Sequence, residues 1–265
     1  MSSALKFCPL YSGSSGNCSV ISAGRTNVLI DAGMTGKAIL DGLSAVGVDP
    51  SSLSAIVVTH EHSDHIKGIG VMSRKYDIPV YANEATWKAM SPFIGDVAMK
   101  NIRAFVTGQN FYLGELDVTP FPTSHDAAEP VGYSFFSKGK RVVYMTDTGC
   151  VPERLREIAE GADILFLEAN HDIDMLKNGP YPYPLKKRIL SDKGHLSNGT
   201  AGELLKRLYP TGVRRAILAH LSRENNTERI AYNTVRGLLT DEGIAEKDFF
   251  LTVAHRDRPA GIFEL

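Results

Sequence analysis

The chain has 265 residues, of which 43% are hydrophobic and 22% are charged, and its formal net charge is −1. These values are typical of a globular protein, and no apolar run approaches the roughly 20 residues that a membrane helix needs. The three cysteines lack zinc-finger spacing and exclude a disulfide framework. Because the first residues also lack the pattern of a secretion signal, we expect a cytoplasmic protein with no membrane segment.

Short apolar runs alternate with helical patterns along the whole chain, so we expect one single domain over residues 1–265. Strands are predicted at Leu5–Leu10, Ser19–Ser22, Val28–Ile30, Ala55–Thr59, Val80–Ala82, Leu116–Phe121, Val131–Phe136, Val142–Thr146, Ile164–Leu167 and Ala216–Ala219. The clearest helix follows Ser197, with Thr200 and Glu203 as a candidate capping box. Hairpins followed by crossover helices predict an α+β fold, a four-layer αββα sandwich of two mixed sheets with helices outside.

Several predicted strands end directly before a residue that can bind a metal or transfer a proton. These residues are Asp31, His60, Asp147, Glu168 and His220. Functional sites in α/β sheets gather at the carboxyl ends of strands, where a rigid scaffold aims side chains from distant sequence positions at one point. The pattern therefore predicts a shared site.

A histidine cluster follows the fourth predicted strand. Within six residues, His60, His62, Asp64 and His65 offer three imidazoles and one carboxylate, a combination suited to divalent zinc or manganese. The alternative is a solvated histidine-rich loop. An apolar strand before the cluster and an amphipathic helix after it favour a fixed metal site.

The pattern His-x-His-x-Asp-His at positions 60 to 65 resembles the signature of the metallo-β-lactamase superfamily. The resemblance implies two divalent metal ions, of zinc, manganese or iron, with manganese or zinc favoured. It implies that His60, His62 and His125 bind the first metal, that Asp64, His65 and His220 bind the second, and that Asp147 bridges them. Asp31 matches an aspartate that orients the histidine cluster, and we place it with Asp64 among the catalytic residues. Taken singly, His125 and His220 also fit core histidines, and Asp31 fits a turn aspartate.

Two metals roughly 3.5 to 4 Å apart can share a water and polarise the bond under attack, and the resemblance implies a metal-bridging hydroxide as nucleophile. Glu168 and His195 resemble the glutamate and histidine with which nucleases of this superfamily, including the tRNA 3′-processing enzymes, protonate the leaving oxygen. We assign His195 as general acid and Glu168 as its orienting partner. The alternative is a helix-capping loop with an incidental histidine.

The chain also resembles the bacterial YycJ (WalJ) group of this superfamily. The similar segments are 12–18, Asn170-His171-Asp172, Gly179-Pro180-Tyr181-Pro182, Gly194-His195-Leu196-Ser197-Asn198 and Ala219-His220-Leu221-Ser222. This resemblance implies a metal-dependent 5′ to 3′ exodeoxyribonuclease linked to DNA repair. The interval from Asp147 to His220 is too short for the cap domain of β-CASP nucleases. An RNA-processing nuclease of the tRNA 3′-processing type, a small-molecule thioester, lactone or cyclic phosphodiester hydrolase, and a metal-binding interaction module remain alternatives.

Three surfaces are predicted to contact the nucleic acid, which we expect to be DNA. The first is the loop containing Ser12, Ser14, Ser15 and Asn17, whose alternative is a plain hairpin turn. The second is the segment 177–193, with five basic residues against one acid, where Lys186, Lys187 and Arg188 lie near Tyr181 and Tyr183; its alternative is a solvated lid. The third comprises Arg223 and Asn226, which also fit a helix cap. No oligomeric state is predicted.

Overall fold

The computed structural model describes residues 4–265. Residues 1–3, on which part of the secretion-signal prediction rests, lie outside the described residues. The chain divides into two compact units: the first comprises Met1–Pro122, Ala127–Lys140 and His255–Leu265, and the second comprises Thr123–Asp126 and Arg141–Ala254. The expectation of one domain over residues 1–265 stays a prediction.

Fourteen strands and nine α-helices form residues 4–265. The strands are β1 (Lys6–Tyr11), β2 (Cys18–Ala23), β3 (Thr26–Ile30), β4 (Leu53–Val57), β5 (Val80–Asn83), β6 (Ile102–Phe105), β7 (Phe111–Leu113), β8 (Leu116–Pro122), β9 (Val131–Ser137), β10 (Lys140–Met145), β11 (Ile164–Glu168), β12 (Arg215–Ala219), β13 (Phe250–Val253) and β14 (Phe263–Glu264). The helices are α1 (Gly36–Ala45), α2 (Ser63–Ile66), α3 (Ile69–Tyr76), α4 (Glu84–Ile94), α5 (Glu153–Ala159), α6 (Ile173–Asn178), α7 (Tyr183–Ile189), α8 (Asn198–Leu208) and α9 (Glu228–Asp241). Short 3₁₀ turns occupy Pro50–Ser52, Met99–Asn101, Tyr209–Thr211 and Glu246–Asp248.

The strands of the described chain form two mixed sheets of seven strands each, flanked by helices. The first sheet has the order β14-β1-β2-β3-β4-β5-β6, antiparallel up to β3 and parallel from β3 to β6. In the second sheet, β7, β8 and β9 pair antiparallel, and β10 to β13 run parallel. The parallel strands are almost continuously apolar, as is usual for strands that are buried on both faces of their sheet. The predicted α+β class with two mixed sheets is confirmed.

All ten predicted strands are present, each with ends within two residues of the prediction. The four strands that sequence reasoning missed, β6, β7, β13 and β14, are the edge strands of the two sheets. An edge strand has a neighbour on one side only, so its burial pattern is weak; β6, for example, is exposed at three of its four residues. Short edge strands therefore give little alternation for a sequence to display.

The helix after Ser197 is confirmed, but the predicted capping box is wrong. Ser197 itself caps α8, because its hydroxyl accepts a hydrogen bond from the amide of Thr200 at 3.1 Å. The carboxylate of Glu203 instead pairs with Lys206 on the exposed face. The cap thus lies three residues earlier than predicted, and the apolar face of α8 (Ala201, Leu204, Leu205 and Leu208) is buried as expected. In residues 4–265, every helix is too short or too polar to cross a membrane.

Candidate active site

Three predicted site residues adopt a backbone conformation that is uncommon outside glycine. Asp31, Asp147 and His220 have φ angles of 58°, 54° and 54°, in the left-handed region. Each follows a buried parallel strand within two residues: β3, β10 and β12, respectively. A left-handed residue turns the chain sharply, so these side chains leave the alternating pattern of their strands. Such conformations cost free energy and concentrate at functional positions.

In the first unit, Asp31 holds the histidine cluster. One carboxylate oxygen accepts from the amide of Thr59 at 2.8 Å, and the other accepts from the Thr59 hydroxyl at 2.8 Å and from Nδ1 of His65 at 2.7 Å. Both the Asp31 and the His65 side chains are fully buried. The rings of His62 and His65 lie beside the ring of His60, with centroid separations of 4.6 and 4.1 Å. Asp31 thus orients His65 in this structure, and its catalytic role stays a prediction.

The loop from Ser12 to Asn17 contacts this histidine cluster. It connects the antiparallel strands β1 and β2, as the hairpin alternative required. Asn17 is buried, its amide nitrogen lies 3.0 Å from Nε2 of His65, and its backbone amide donates to the carbonyl of Asp64 at 2.8 Å. Ser12 is buried as well, whereas Ser14 and Ser15 are exposed. A phosphate contact by this loop stays a prediction, for which Ser14 and Ser15 are the accessible members.

Gly33 is required by the close approach of the loop after β3 to the cluster. A Cβ atom there would lie 1.6 Å from the carbonyl oxygen of Asp64, and the Gly33 amide donates to the carbonyl of Asn17 at 2.8 Å. Any side chain at this position would push away the loop that carries Asp64 and His65. The small residue therefore fixes the backbone that carries Asp64 and His65.

In the second unit, Glu168 is the centre of a buried network. Its Oε1 accepts from Nδ1 of His195 at 2.7 Å and from Nδ1 of His220 at 2.9 Å, and its Oε2 accepts from the amides of Thr148 and Leu196, both at 3.1 Å. Burial alone would raise the pKa of the Glu168 carboxyl. The charges and hydrogen bonds of the two histidines outweigh that effect and hold the pKa well below its usual value, so Glu168 is a carboxylate.

Asp147 and His125 lie beside this network. The Oδ1 atom of Asp147 is 3.4 Å from Nδ1 of His220, 3.7 Å from Nδ1 of His195 and 3.7 Å from Nε2 of His125. One ligand atom from each of Asp147, Glu168, His195 and His220 lies within 4.8 Å of the others, which makes this a group able to hold a cation. Burial lowers the pKa of His125 and favours the neutral imidazole that a metal requires.

The donor set fits divalent metals in a further respect, because three of the five predicted histidine ligands are held through Nδ1. Nδ1 of His65 meets Asp31, Nδ1 of His220 meets Glu168, and Nδ1 of His125 donates to the carbonyl of Gly194 at 3.0 Å. A metal-binding histidine commonly donates one ring N–H to a carboxylate or carbonyl, which orients the other nitrogen for the metal. In His125 and His220, Nε2 is the nitrogen so oriented, whereas Nε2 of His65 also lies 3.0 Å from the side-chain amide nitrogen of Asn17.

His171 is a buried histidine to which sequence reasoning gave no role. It follows β11 by three residues, is 1% exposed, and neither ring nitrogen has a hydrogen-bond partner among residues 4–265. Burial lowers its pKa to about 4, although the nearby Glu168 carboxylate acts in the opposite direction. The sequence could have indicated that His171 lies near the site, because it follows closely after a strand that ends on Glu168.

Of the predicted nucleic-acid contacts, Asn226 is buried and its side chain is fully engaged inside the protein. Its amide nitrogen donates to the carbonyls of Ala169 and Asn170 and to Oδ1 of Asn198, at 2.9, 3.1 and 2.8 Å. These bonds fasten the loop after β12 to the end of β11 and the start of α8. The side-chain amide of Asn226 is therefore not available to a ligand, whereas Arg223 is exposed beside Glu224.

The basic segment forms helix α7 and the loop after it. Lys187 and Arg188 are exposed, and Lys186 is half-buried, with its ammonium group donating to the carbonyl of Lys177 at 2.7 Å. The guanidinium of Arg188 forms an ion pair with Asp126. The charge of Arg188 is thus paired with a carboxylate, and the lysines supply the remaining positive charge of this segment.

Comparison with known proteins places these features in a family. A family model described as a β-lactamase superfamily domain matches residues 26–221. A protein named exodeoxyribonuclease YycJ from Bacillus anthracis is 40% identical over 246 residues, which cover 93% of each chain. The chain belongs to the β-lactamase superfamily, in its YycJ (WalJ) group. A member named exodeoxyribonuclease WalJ from Streptococcus pneumoniae is 43% identical over 232 residues, which cover 87% of this chain and 86% of the relative.

More distant proteins share the fold or match part of the chain. The crystal structure of the metallo-β-lactamase fold protein YhfI from Bacillus subtilis superposes with a TM-score of 0.73 at 20% identity, covering 99% of this chain and 100% of that chain. A protein named ribonuclease Z from Mycobacterium bovis is 30% identical over 57% of this chain and 62% of its own length. The predicted metallo-β-lactamase fold is therefore confirmed, and the relatives named exodeoxyribonuclease match more of the chain than the one named ribonuclease Z.

Proposed function

We propose that this superfamily member is a metal-dependent 5′ to 3′ exodeoxyribonuclease that acts in the cytoplasm during DNA repair. The observation that carries the proposal is the Glu168–His195 pair, in which a buried carboxylate holds an imidazole whose side chain is 18% exposed. Hydrolysis of a phosphodiester needs a proton for the departing sugar oxygen, and a positioned imidazolium supplies it. The similarity to proteins named exodeoxyribonucleases supports DNA as the substrate.

Two divalent metals, manganese or zinc, would complete the site. We propose His60, His62 and His125 as ligands of one metal, Asp64, His65 and His220 as ligands of the other, and Asp147 as the bridge. When bound, such a pair activates a shared water and stabilises the charge that develops on the phosphate. Support comes from the imidazole and carboxylate donor set and from the Nδ1 hydrogen bonds of three of these histidines.

The protein's own side chains then perform three tasks. Asp31 fixes the ring of His65 through one carboxylate oxygen and holds the amide of Thr59 with the other. Glu168 fixes Nδ1 of both His220 and His195. With Nδ1 held, Nε2 of His195 is the atom from which a proton passes to the leaving oxygen, and the carboxylate stabilises the imidazolium before the transfer.

The proposal is tested with purified protein, manganese or zinc, and end-labelled DNA. We expect progressive shortening of linear DNA from the 5′ end, no attack on covalently closed circles, and loss of activity on chelation or in His60→Ala. Nicked circles separate a requirement for a free end from a requirement for a linear molecule. If closed circles are cut, or if His60→Ala is as active as the unchanged protein, the proposal is wrong.

A second candidate is an RNA-processing nuclease of the tRNA 3′-processing type, which is favoured by the similarity to the protein named ribonuclease Z. The same catalytic groups would serve it, so only the substrate separates the two. Matched RNA and DNA oligonucleotides of one sequence, in the same assay, decide between them. Faster cleavage of RNA with a 3′ extension would replace the DNA proposal by this one.

A further inference from the structure

The second unit contains a cleft that the catalytic groups do not use. It has a volume of about 480 Å³ and is lined by Lys177, Tyr183, Lys186, Lys187, Leu190 and Ser191. Its walls are the last turn of α6, one side of α7 and the residues directly after α7. We refer to these six residues as the α6–α7 cleft.

The α6–α7 cleft carries uncompensated positive charge. Across residues 4–265, no carboxylate forms an ion pair with Lys177, Lys186 or Lys187, although the neighbouring Arg188 is paired with Asp126 and Lys206 is paired with both Glu203 and Glu242. The hydrogen bond from Lys186 to the carbonyl of Lys177 joins the two walls. Three ammonium groups that have no carboxylate partner surround one cleft, and they favour an anionic ligand such as a phosphodiester backbone.

Apolar surface lies in the same cleft. Tyr183 is 77% exposed and Leu190 is 46% exposed, so most of the tyrosine ring faces solvent. Pro182 and Pro184 flank Tyr183 and restrict the backbone that carries it. An exposed aromatic ring among lysines is the arrangement with which proteins bind single-stranded nucleic acid, because the ring stacks on a base while the lysines bind the backbone.

Helix α7 is also fastened to the proposed acid. The amide of His195 donates to the carbonyl of Ile189 at 3.0 Å, and Nδ1 of His125 meets the carbonyl of Gly194. At Gly194 a Cβ atom would lie 2.2 Å from the carbonyl oxygen of Ile189, so glycine alone permits this turn. Ser191 precedes His195 by four residues, and extended chain of that length reaches about 14 Å at most. The cleft therefore lies within a few nucleotides of the proton donor.

We infer that the α6–α7 cleft binds an unpaired nucleotide of the DNA strand, on the side of the cut bond that carries the leaving oxygen. The inference rests on the proposed function, because it is His195, at the end of the same segment, that identifies the leaving side. A base inside a duplex has both faces covered by its neighbours and cannot stack on Tyr183. The preferred substrate is thus an end with single-stranded character.

Binding measurements test the cleft independently of cleavage. In a His195→Ala background, Tyr183→Ala should weaken binding of a labelled single-stranded oligonucleotide by roughly 5- to 150-fold, the range measured for loss of one stacked base, and leave binding of a blunt duplex within twofold. Tyr183→Phe keeps the ring and should restore binding. Tyr112→Ala removes a tyrosine that is 69% exposed in the first unit and serves as the matched control.

The lysines are tested by salt dependence. The double variant Lys177→Ala/Lys187→Ala should reduce the slope of log binding constant against log salt by about 1.4, because each phosphate contact on a single strand contributes about 0.7. Lys247→Ala, an exposed lysine elsewhere in the second unit, should leave the slope unchanged. An unchanged slope in the double variant, or equal losses on single strand and duplex in Tyr183→Ala, would overturn the inference.

Failure of the inference and failure of the proposed function give different results. If DNA is cut normally but Tyr183→Ala binds and cuts both substrates as the unchanged protein does, the exonuclease stands and the cleft does not bind a base. If no nucleic acid is cut, yet single-strand binding still depends on Tyr183 and the lysines, the cleft stands and the proposed reaction is wrong.

Discussion

Each unit contains a buried carboxylate that holds histidine through Nδ1, but the two networks differ in what they leave accessible. In the first unit, Asp31 holds one imidazole, and both side chains are completely buried. In the second unit, Glu168 holds two imidazoles: His220, whose side chain is 2% exposed, and His195, whose side chain is 18% exposed. The Asp31 network is closed, whereas the Glu168 network has one member that solvent or a substrate can reach.

This difference separates two uses of the same interaction. A carboxylate that fixes a fully enclosed imidazole orients a ligand and stabilises the fold. A carboxylate that fixes an accessible imidazole also prepares a group for proton transfer, because it stabilises the charged ring while leaving Nε2 open. We expect substitutions in the Asp31 network to change stability most, and substitution of the exposed member of the Glu168 network to change turnover most.

The largest effect is expected at His195. Loss of a general acid typically costs 10²- to 10⁴-fold in rate, so His195→Ala should lower kcat for DNA by about that factor. Its metal content, measured by elemental analysis, should match that of the unchanged protein, because His195 is not among the proposed ligands. Lys247→Ala, a substitution of an exposed residue elsewhere in the second unit, is the control and should keep full activity.

The metal content makes this comparison decisive. One ligand atom of His195 lies within 4.8 Å of ligand atoms of Asp147, Glu168 and His220, so the same side chain is geometrically able to bind a cation. If His195→Ala loses a metal together with its activity, then His195 is a metal ligand. Both networks would then only orient metal ligands, and the proposed difference in their roles is wrong.

The second effect concerns the closed network. Asp31→Ala removes the acceptor of three hydrogen bonds in a fully buried place, and we expect it to lower the free energy of unfolding by about 3 to 5 kcal/mol. Asp31→Asn should cost less, because asparagine retains an acceptor and tolerates the left-handed backbone. Urea unfolding of chelated protein measures both variants.

A matched control separates burial from charge. Asp96 is exposed in the first unit, and Asp96→Ala should change the free energy of unfolding by no more than about 0.5 kcal/mol. If Asp31→Ala changes the free energy of unfolding as little as Asp96→Ala does, the Asp31 network does not stabilise the fold. The proposed contrast with the Glu168 network is then wrong.

The sequence predicted the interior strands and the candidate ligands for the same reason. Buried strands are marked by apolar runs, and the polar residue that ends each run is conspicuous, as Asp31, Asp147 and His220 show. The edge strands β6 and β14 lack such runs and were missed. The left-handed backbone at the three strand ends was also beyond prediction, because aspartate and histidine adopt it only where tertiary contacts impose it.

Contacts between distant positions account for the remaining differences. Asn226 was predicted at the nucleic-acid surface from its place after His220, but its amide bonds reach Ala169, Asn170 and Asn198. Asn17 was predicted to contact phosphate, and its side chain lies against His65. Both residues are common in turns, and sequence spacing does not show which distant groups an amide meets.

The smallest of the three expected effects is the contribution of His171, a buried neighbour of Glu168, to the pH dependence of stability. Burial lowers the pKa of His171 from 6.5 to about 4. The unfolded chain binds a proton at this residue as the pH falls below 6.5, but the folded chain does not until about pH 4. Stability therefore falls through this window, by roughly 3 kcal/mol at most, and is unaffected above about pH 7. His171→Gln cannot take up that proton, so its free energy of unfolding should fall less between pH 7 and 4.5, as measured by urea unfolding of chelated protein. Equal pH dependence in the two proteins would mean that His171 is solvated or paired in the folded state. Its ring would then have hydrogen-bond partners, as the carboxylate of Asp31 does.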